Sequence, residues 1–210
     1  MGLLDDTRRD KLFSTFSNTI QGVVNLTWPM LLISIVILVS FRVAYIIKKQ
    51  DKFVLYKELL MLSFIIYILC LFQVVTFTDD VTWSTNNFIP FKEILRYNVT
   101  SRLFIKNVLG NMLMFLPFGF FISYYLENKK PILTVVLTLV ASVAIELVQM
   151  AIGRVFDVDD ILLNLCGGLL GYALYYGLMR MGEKLPSVFK TDWFLNIVSI
   201  IILLGVLVLI

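Results

Sequence analysis

Between Ser142 and Gly171 two long apolar runs meet at a turn that carries Arg154, Asp157, Asp159 and Asp160. Glu146 and Gln149 lie inside the first run and Asn164 inside the second. Only 16% of the chain is charged, so carboxylates and amides set into apolar runs are the feature to explain. A charge at the centre of a membrane helix costs roughly 2.5–3.5 kcal/mol on insertion scales, and groups kept there against that cost mark ligand, ion or proton sites. The chain has no histidine, which excludes a histidine general base and any histidine-ligated metal. Acid–base chemistry would then rest on carboxylates, with Glu146 as the acid/base and Asp160 as its partner. Asp157, Asp159 and Asp160 offer oxygen ligands to a hard divalent cation, although their spacing is not that of an EF-hand loop. Gln149, Arg154 and the asparagines Asn87, Asn107, Asn111 and Asn164 grip sugar hydroxyls, phosphates or peptide groups equally well without reacting. Each feature also has a structural alternative. The aspartates fit caps of the helix that follows them. The asparagines fit interhelical bonds worth about 1 kcal/mol. Glu146 and Arg154 could serve as a purely structural ion pair. Residue types leave catalysis and binding both open.

The elements that position these groups follow from composition. Of 210 residues, 59% are hydrophobic, and the mean hydropathy is +0.88. Long apolar runs follow one another, which predicts an all-α, polytopic membrane bundle of about six spans. The spans fall at about 27–47, 53–76, 107–126, 131–152, 160–179 and 193–210. We read 27–210 as one transmembrane domain, preceded by a segment 1–26. In that segment Leu12, Phe16, Ile20 and Val24 recur at helical spacing, as in an amphipathic helix lying at the membrane surface or docked on the bundle. A net charge of +3 without a basic stripe excludes nucleic acid as a partner. Cys70 and Cys166 lie in apolar runs, form no CxxC pair and read as small buried hydrophobes. A long connection, 77–106, holds Asn86-Asn87-Phe88-Ile89-Pro90-Phe91 and a short helix at 92–97. Connections of this length in a compact protein carry function or cover something. Pro117 removes a donor to Leu113, so a kink is expected in the third span.

Parity puts the long connection, the start of the third span and the acidic turn on one membrane face. At 1.5 Å per residue, Asn111 lies about 6 Å below Asn107, Glu146 about 10 Å below Gly153, and Asn164 about 6 Å below Asp160. Three helices therefore carry polar groups at similar depth, with glycines such as Gly110, Gly167, Gly168 and Gly171 permitting close approach. The expected geometry is a polar pocket opening to one side, lidded by the long connection. The short loops, with Arg42 and Lys57, hold ten of the 18 lysines and arginines. That excess favours placing them inside, with both termini and the polar pocket outside.

At these residues the chain resembles the VanZ-like family of bacterial membrane proteins. The matching pieces run over about 86–176. They are Asn87-Phe88-Ile89-Pro90-Phe91; Asn107-Val108-Leu109-Gly110-Asn111 with Phe115-Leu116-Pro117-Phe118-Gly119; Glu146-Leu147-Val148-Gln149; and Arg154 through Asn164 with Gly168 and Gly171. The first two spans and the sixth carry none of it. The family is named for a protein that raises resistance to the glycopeptide teicoplanin in Gram-positive bacteria. The resemblance implies an envelope role; no cofactor is expected beyond a divalent cation at the aspartates, and membrane lipids are expected partners. A lipid-linked cell-wall precursor or a glycopeptide would be the ligand. An intramembrane enzyme acting on a lipid head group, or a small transporter or flippase using Glu146 to carry a proton, stand as alternatives.

Overall fold

The computed structural model describes residues 32–37, 39–45, 47–48, 53–76, 86–96, 101, 104–184 and 186–208. The expected amphipathic helix near the N-terminus lies outside the described residues. The helices are α1 (Leu55–Thr76), α2 (Lys92–Arg96), α3 (Gly110–Tyr125), α4 (Ile132–Ala151), α5 (Val158–Lys184) and α6 (Asp192–Val208). A π turn, Ile105–Leu109, leads into α3, and a 3-10 turn, Ser187–Lys190, precedes α6. α3 continues through Pro117 to Tyr125. Leu55–Val74, Asn107–Tyr125, Ile132–Ala151 and Val158–Gly182 are long and apolar enough to cross a membrane, and Leu32–Tyr45 and Asp192–Val206 are shorter apolar helices. The molecule is an all-α membrane bundle.

The chain divides into two compact units, one of Met1–Phe77 with Leu195–Ile210 and one of Thr78–Phe194. In the first, the Arg42 guanidinium pairs with both carboxylate oxygens of Glu58, at 2.8 and 2.9 Å. Two aligned charge-assisted bonds lower the cost of holding these charges in apolar helices.

The second unit is built around α5, which packs most extensively on α3 and next on α4. Glycine makes the first contact close. A Cβ added to Gly171 or Gly167 would collide with the backbone of α3 at Leu116 or Met112. Lipid tails are as apolar as leucine, so helices associate here by tight backbone packing and hydrogen bonds. Phe115, Phe118 and Phe121 of α3 and Ile161, Leu163 and Tyr175 of α5 fill the core beside these contacts. α4 is patterned inside out. Its buried residues are Thr134, Thr138, Ser142, Glu146 and Gln149, all polar, while Val136, Val140, Leu147 and Met150 are exposed. Spacings of three and four put the five polar groups on one face. In hydrocarbon, the surface turned to solvent must be apolar, and polar groups find partners inside.

Candidate functional site

The site grows from the way α4 ends. Gly153 takes φ +87. The Gly153 N–H donates to the Met150 carbonyl at 3.2 Å and the Arg154 N–H to the Gln149 carbonyl at 2.9 Å. This pair of bonds is a Schellman ending, for which glycine at the left-handed position is the favoured residue. It folds Arg154 back over the last turn of α4. The Gln149 amide is assigned the orientation that satisfies both neighbours. Its Nε2 then donates to Glu146 Oε1 at 3.0 Å, and its Oε1 accepts from Arg154 Nη1 at 2.9 Å. Gln149 thus stands between Glu146 and Arg154 and links a carboxylate only 1% exposed to an exposed guanidinium.

Glu146 also fixes the turn, because its Oε2 accepts the Asp157 N–H at 2.9 Å. Asp157 is the cap of α5, its Oδ1 accepting the Asp159 N–H at 2.9 Å. The same oxygen accepts from Asn87 Nδ2 at 2.8 Å. Asn87 pairs with the turn through its backbone as well, donating to Phe156 O at 2.8 Å and accepting from Val158 N at 3.1 Å. Among the described residues this short parallel bridge is the only extended pairing. Residues 86–88 of the long connection are therefore docked on the acidic turn.

Asp159 is the residue whose role the sequence hid. The aspartates of this turn read equally as caps or cation ligands. Asp159 is 1% exposed and turns to the connection, where its carboxylate accepts three backbone N–H bonds. They come from Phe91 at 2.5 Å, Glu93 at 2.7 Å and Ile94 at 3.2 Å. It caps the start of α2 from a different helix, and no spacing in the sequence announces a partner 66 residues away. The third aspartate, Asp160, accepts from Asn111 of α3. The three carboxylates diverge toward Asn87, the α2 turn and α3. Among the described residues no group of three acidic, cysteine or histidine side chains lies close enough together to hold a metal ion.

The expected convergence at one depth becomes a ladder. Glu146, Gln149, Arg154, Asp157 and Asn87 form one connected chain at the mouth, beside the Asn111–Asp160 pair. Asn164 lies a turn deeper, where its Nδ2 donates to Ser142 Oγ at 2.9 Å. Thr138 comes next, opposite Gly168. Thr138 Oγ1 and Asn164 Oδ1 are buried without a hydrogen-bond partner. At the far end Thr134 Oγ1 meets Ser123 of α3 at 2.8 Å and Asn128 at 3.3 Å. The antiparallel course of α4 and α5 causes this spread, since it sets successive turns of one helix against successive turns of the other. Asn107 is half-buried in the π turn ahead of Asn111, outside the bonds just traced. Sequence reasoning missed Thr134, Thr138, Ser142 and Ser123. The signal for the first three was their four-residue spacing up to Glu146.

Residues 64–180 match the model of the VanZ/LLP1 family. The match begins inside α1, ahead of the pieces at 86–176, and takes in the docked connection, the acidic turn and the whole polar face of α4. No curated relative and no solved structure matches the chain. With more than half of its length covered, this multi-pass membrane protein belongs to the VanZ/LLP1 family.

Proposed function

We propose that the protein works at the bacterial cell envelope and lowers susceptibility to glycopeptide antibiotics of the teicoplanin type. It does so by holding a lipid-linked cell-wall precursor, or the glycopeptide itself, at the polar end of α4 and α5 on the outer face. The observation that carries this reading is the link from Arg154 through Gln149 to Glu146 and on to Asp157 and Asn87. An exposed guanidinium braced by a buried carboxylate is pre-organised for a pyrophosphate or carboxylate, because little side-chain freedom is left to lose on binding. The excess of lysine and arginine on the short-loop side supports an outward polar end.

The test is binding by the full-length protein in nanodiscs, with teicoplanin and a lipid-linked muropeptide precursor as separate probes. One of the two is expected to bind, and Arg154→Ala to weaken it at least tenfold, about 1.4 kcal/mol. No binding of either probe, or equal binding by the variant, would contradict the reading. Turnover of the precursor in the same assay would favour instead an enzyme using Glu146 and Asp160.

A further inference from the structure

The docked connection is held firmly on one side and apolar on the other. Asp159 takes three of its backbone N–H groups, Asn87 is bridged to the acidic turn, and Phe88 stacks on Phe156 with ring centroids 5.4 Å apart. Above these anchors Phe88, Ile89, Phe91 and Leu95 are 67%, 63%, 55% and 81% exposed. Leu95 N–H donates to the Phe91 carbonyl at 3.0 Å, which ties the first turn of α2 to Phe91. Lys92 and Arg96 are exposed beside them, while Glu93 and Ile94 are half-buried toward the anchors. Phe91 adopts φ +65, a conformation that disfavours any residue with a Cβ. A large apolar side chain is thus kept outward at the expense of backbone strain, where glycine would relieve it.

The height of this surface is set by its anchor. Asp159 lies in the first turn of α5, and the apolar span of that helix opens at Val158. Residues 88–96 therefore sit at the level where α5 enters hydrocarbon, which is also the end of α4 at which Leu147 and Met150 are exposed. At this depth apolar side chains reach acyl chains while lysine and arginine extend to phosphates. We propose that residues 88–96 form a fixed knuckle that enters the headgroup region of the leaflet at the α4–α5 turn, with an anionic phospholipid surface as its partner. Lys92 supplies the net positive charge of this face, since Arg96 is paired with Glu93 at 3.1 Å and turns its remaining guanidinium donors outward. The knuckle stands independently of any antibiotic ligand.

The test uses the full-length chain with Cys70 and Cys166 replaced by alanine and a single Leu95→Cys carrying an environment-sensitive fluorophore. The protein is placed in nanodiscs of phosphatidylcholine, with or without phosphatidylglycerol. Shallow spin-labelled lipids are expected to quench this label several-fold more than iodide does, and more strongly with phosphatidylglycerol present. Lys92→Gln with Arg96→Gln should abolish the phosphatidylglycerol effect. A label at Lys130→Cys in an exposed loop serves as the iodide-accessible control. Ile89→Cys gives a second reading if the Leu95 variant fails to fold. Quenching chiefly by iodide would mean a water-facing surface. Shielding from both quenchers would mean cover by another protein segment or a partner chain. Either result overturns the proposal, and equal lipid quenching with and without phosphatidylglycerol overturns the anionic partner.

Discussion

Thr138 and Ser142 lie one turn apart on the buried face of α4, yet their hydroxyls differ in what depends on them. Ser142 Oγ is the acceptor for Asn164 Nδ2. Removing it in Ser142→Ala strands a buried donor, and stability in detergent is expected to fall by about 1–3 kcal/mol. Thr138 Oγ1 has no partner, so the near-isosteric Thr138→Val is expected to be neutral or slightly stabilising. Thermal unfolding of the two variants side by side checks this contrast. The same logic applies to Asp159. Asp159→Ala leaves three N–H groups of the connection without an acceptor. It should cost about 2–3 kcal/mol and speed proteolysis within 86–96, whereas Asp159→Asn keeps an acceptor oxygen and loses less. Glu146 was legible in the sequence because its solvation cost is high wherever its helix runs. Asp159 was not, because an aspartate beside a helix start already has an ordinary explanation.

At the scale of elements, the glycines of α5 divide into those that touch α3 and those that do not. Gly167→Ala and Gly171→Ala would drive a methyl group into the α3 backbone, while Gly177 has open space around it. Overpacking is expected to cost the first two about 1–3 kcal/mol and Gly177→Ala nothing measurable, as read by denaturation of the purified bundle. Span positions were readable from hydropathy, since backbone groups in lipid leave little choice but helix. α5 runs beyond the span that hydropathy placed, starting at Val158-Asp159 and continuing through Arg180–Lys184, because a helix persists past the charged residues that end an apolar run. The inverted face of α4 left a signal that went unread beyond Glu146, namely Thr134, Thr138, Ser142 and Glu146 at intervals of four. What faced it was not readable. Helix periodicity gives the direction of a face, and the pairing of Asn164 with Ser142 depends on the register of two helices, which one chain's periodicity leaves free.

For the whole molecule, the Glu127–Lys130 loop and the 152–157 turn cap opposite ends of α4. A membrane-impermeant thiol reagent applied to intact cells is expected to label Arg154→Cys, in the exposed part of that turn, and spare Lys130→Cys, in a background lacking Cys70 and Cys166. The reverse pattern would put the polar end inside and remove the outward-facing reading. The docked connection was anticipated as a cover from its length, but its grip on Asp159 and Asp157 is a long-range contact that composition does not encode. The central claim is that the carboxylates at the mouth of the ladder are needed for what the protein does at the envelope. Its most direct test is the teicoplanin inhibitory concentration of a susceptible bacterium carrying the Glu146→Gln, Asp160→Asn double variant at wild-type membrane abundance. Wild type should raise that concentration several-fold over empty vector, and the double variant should return it to the vector level. Full protection by the double variant would contradict the account.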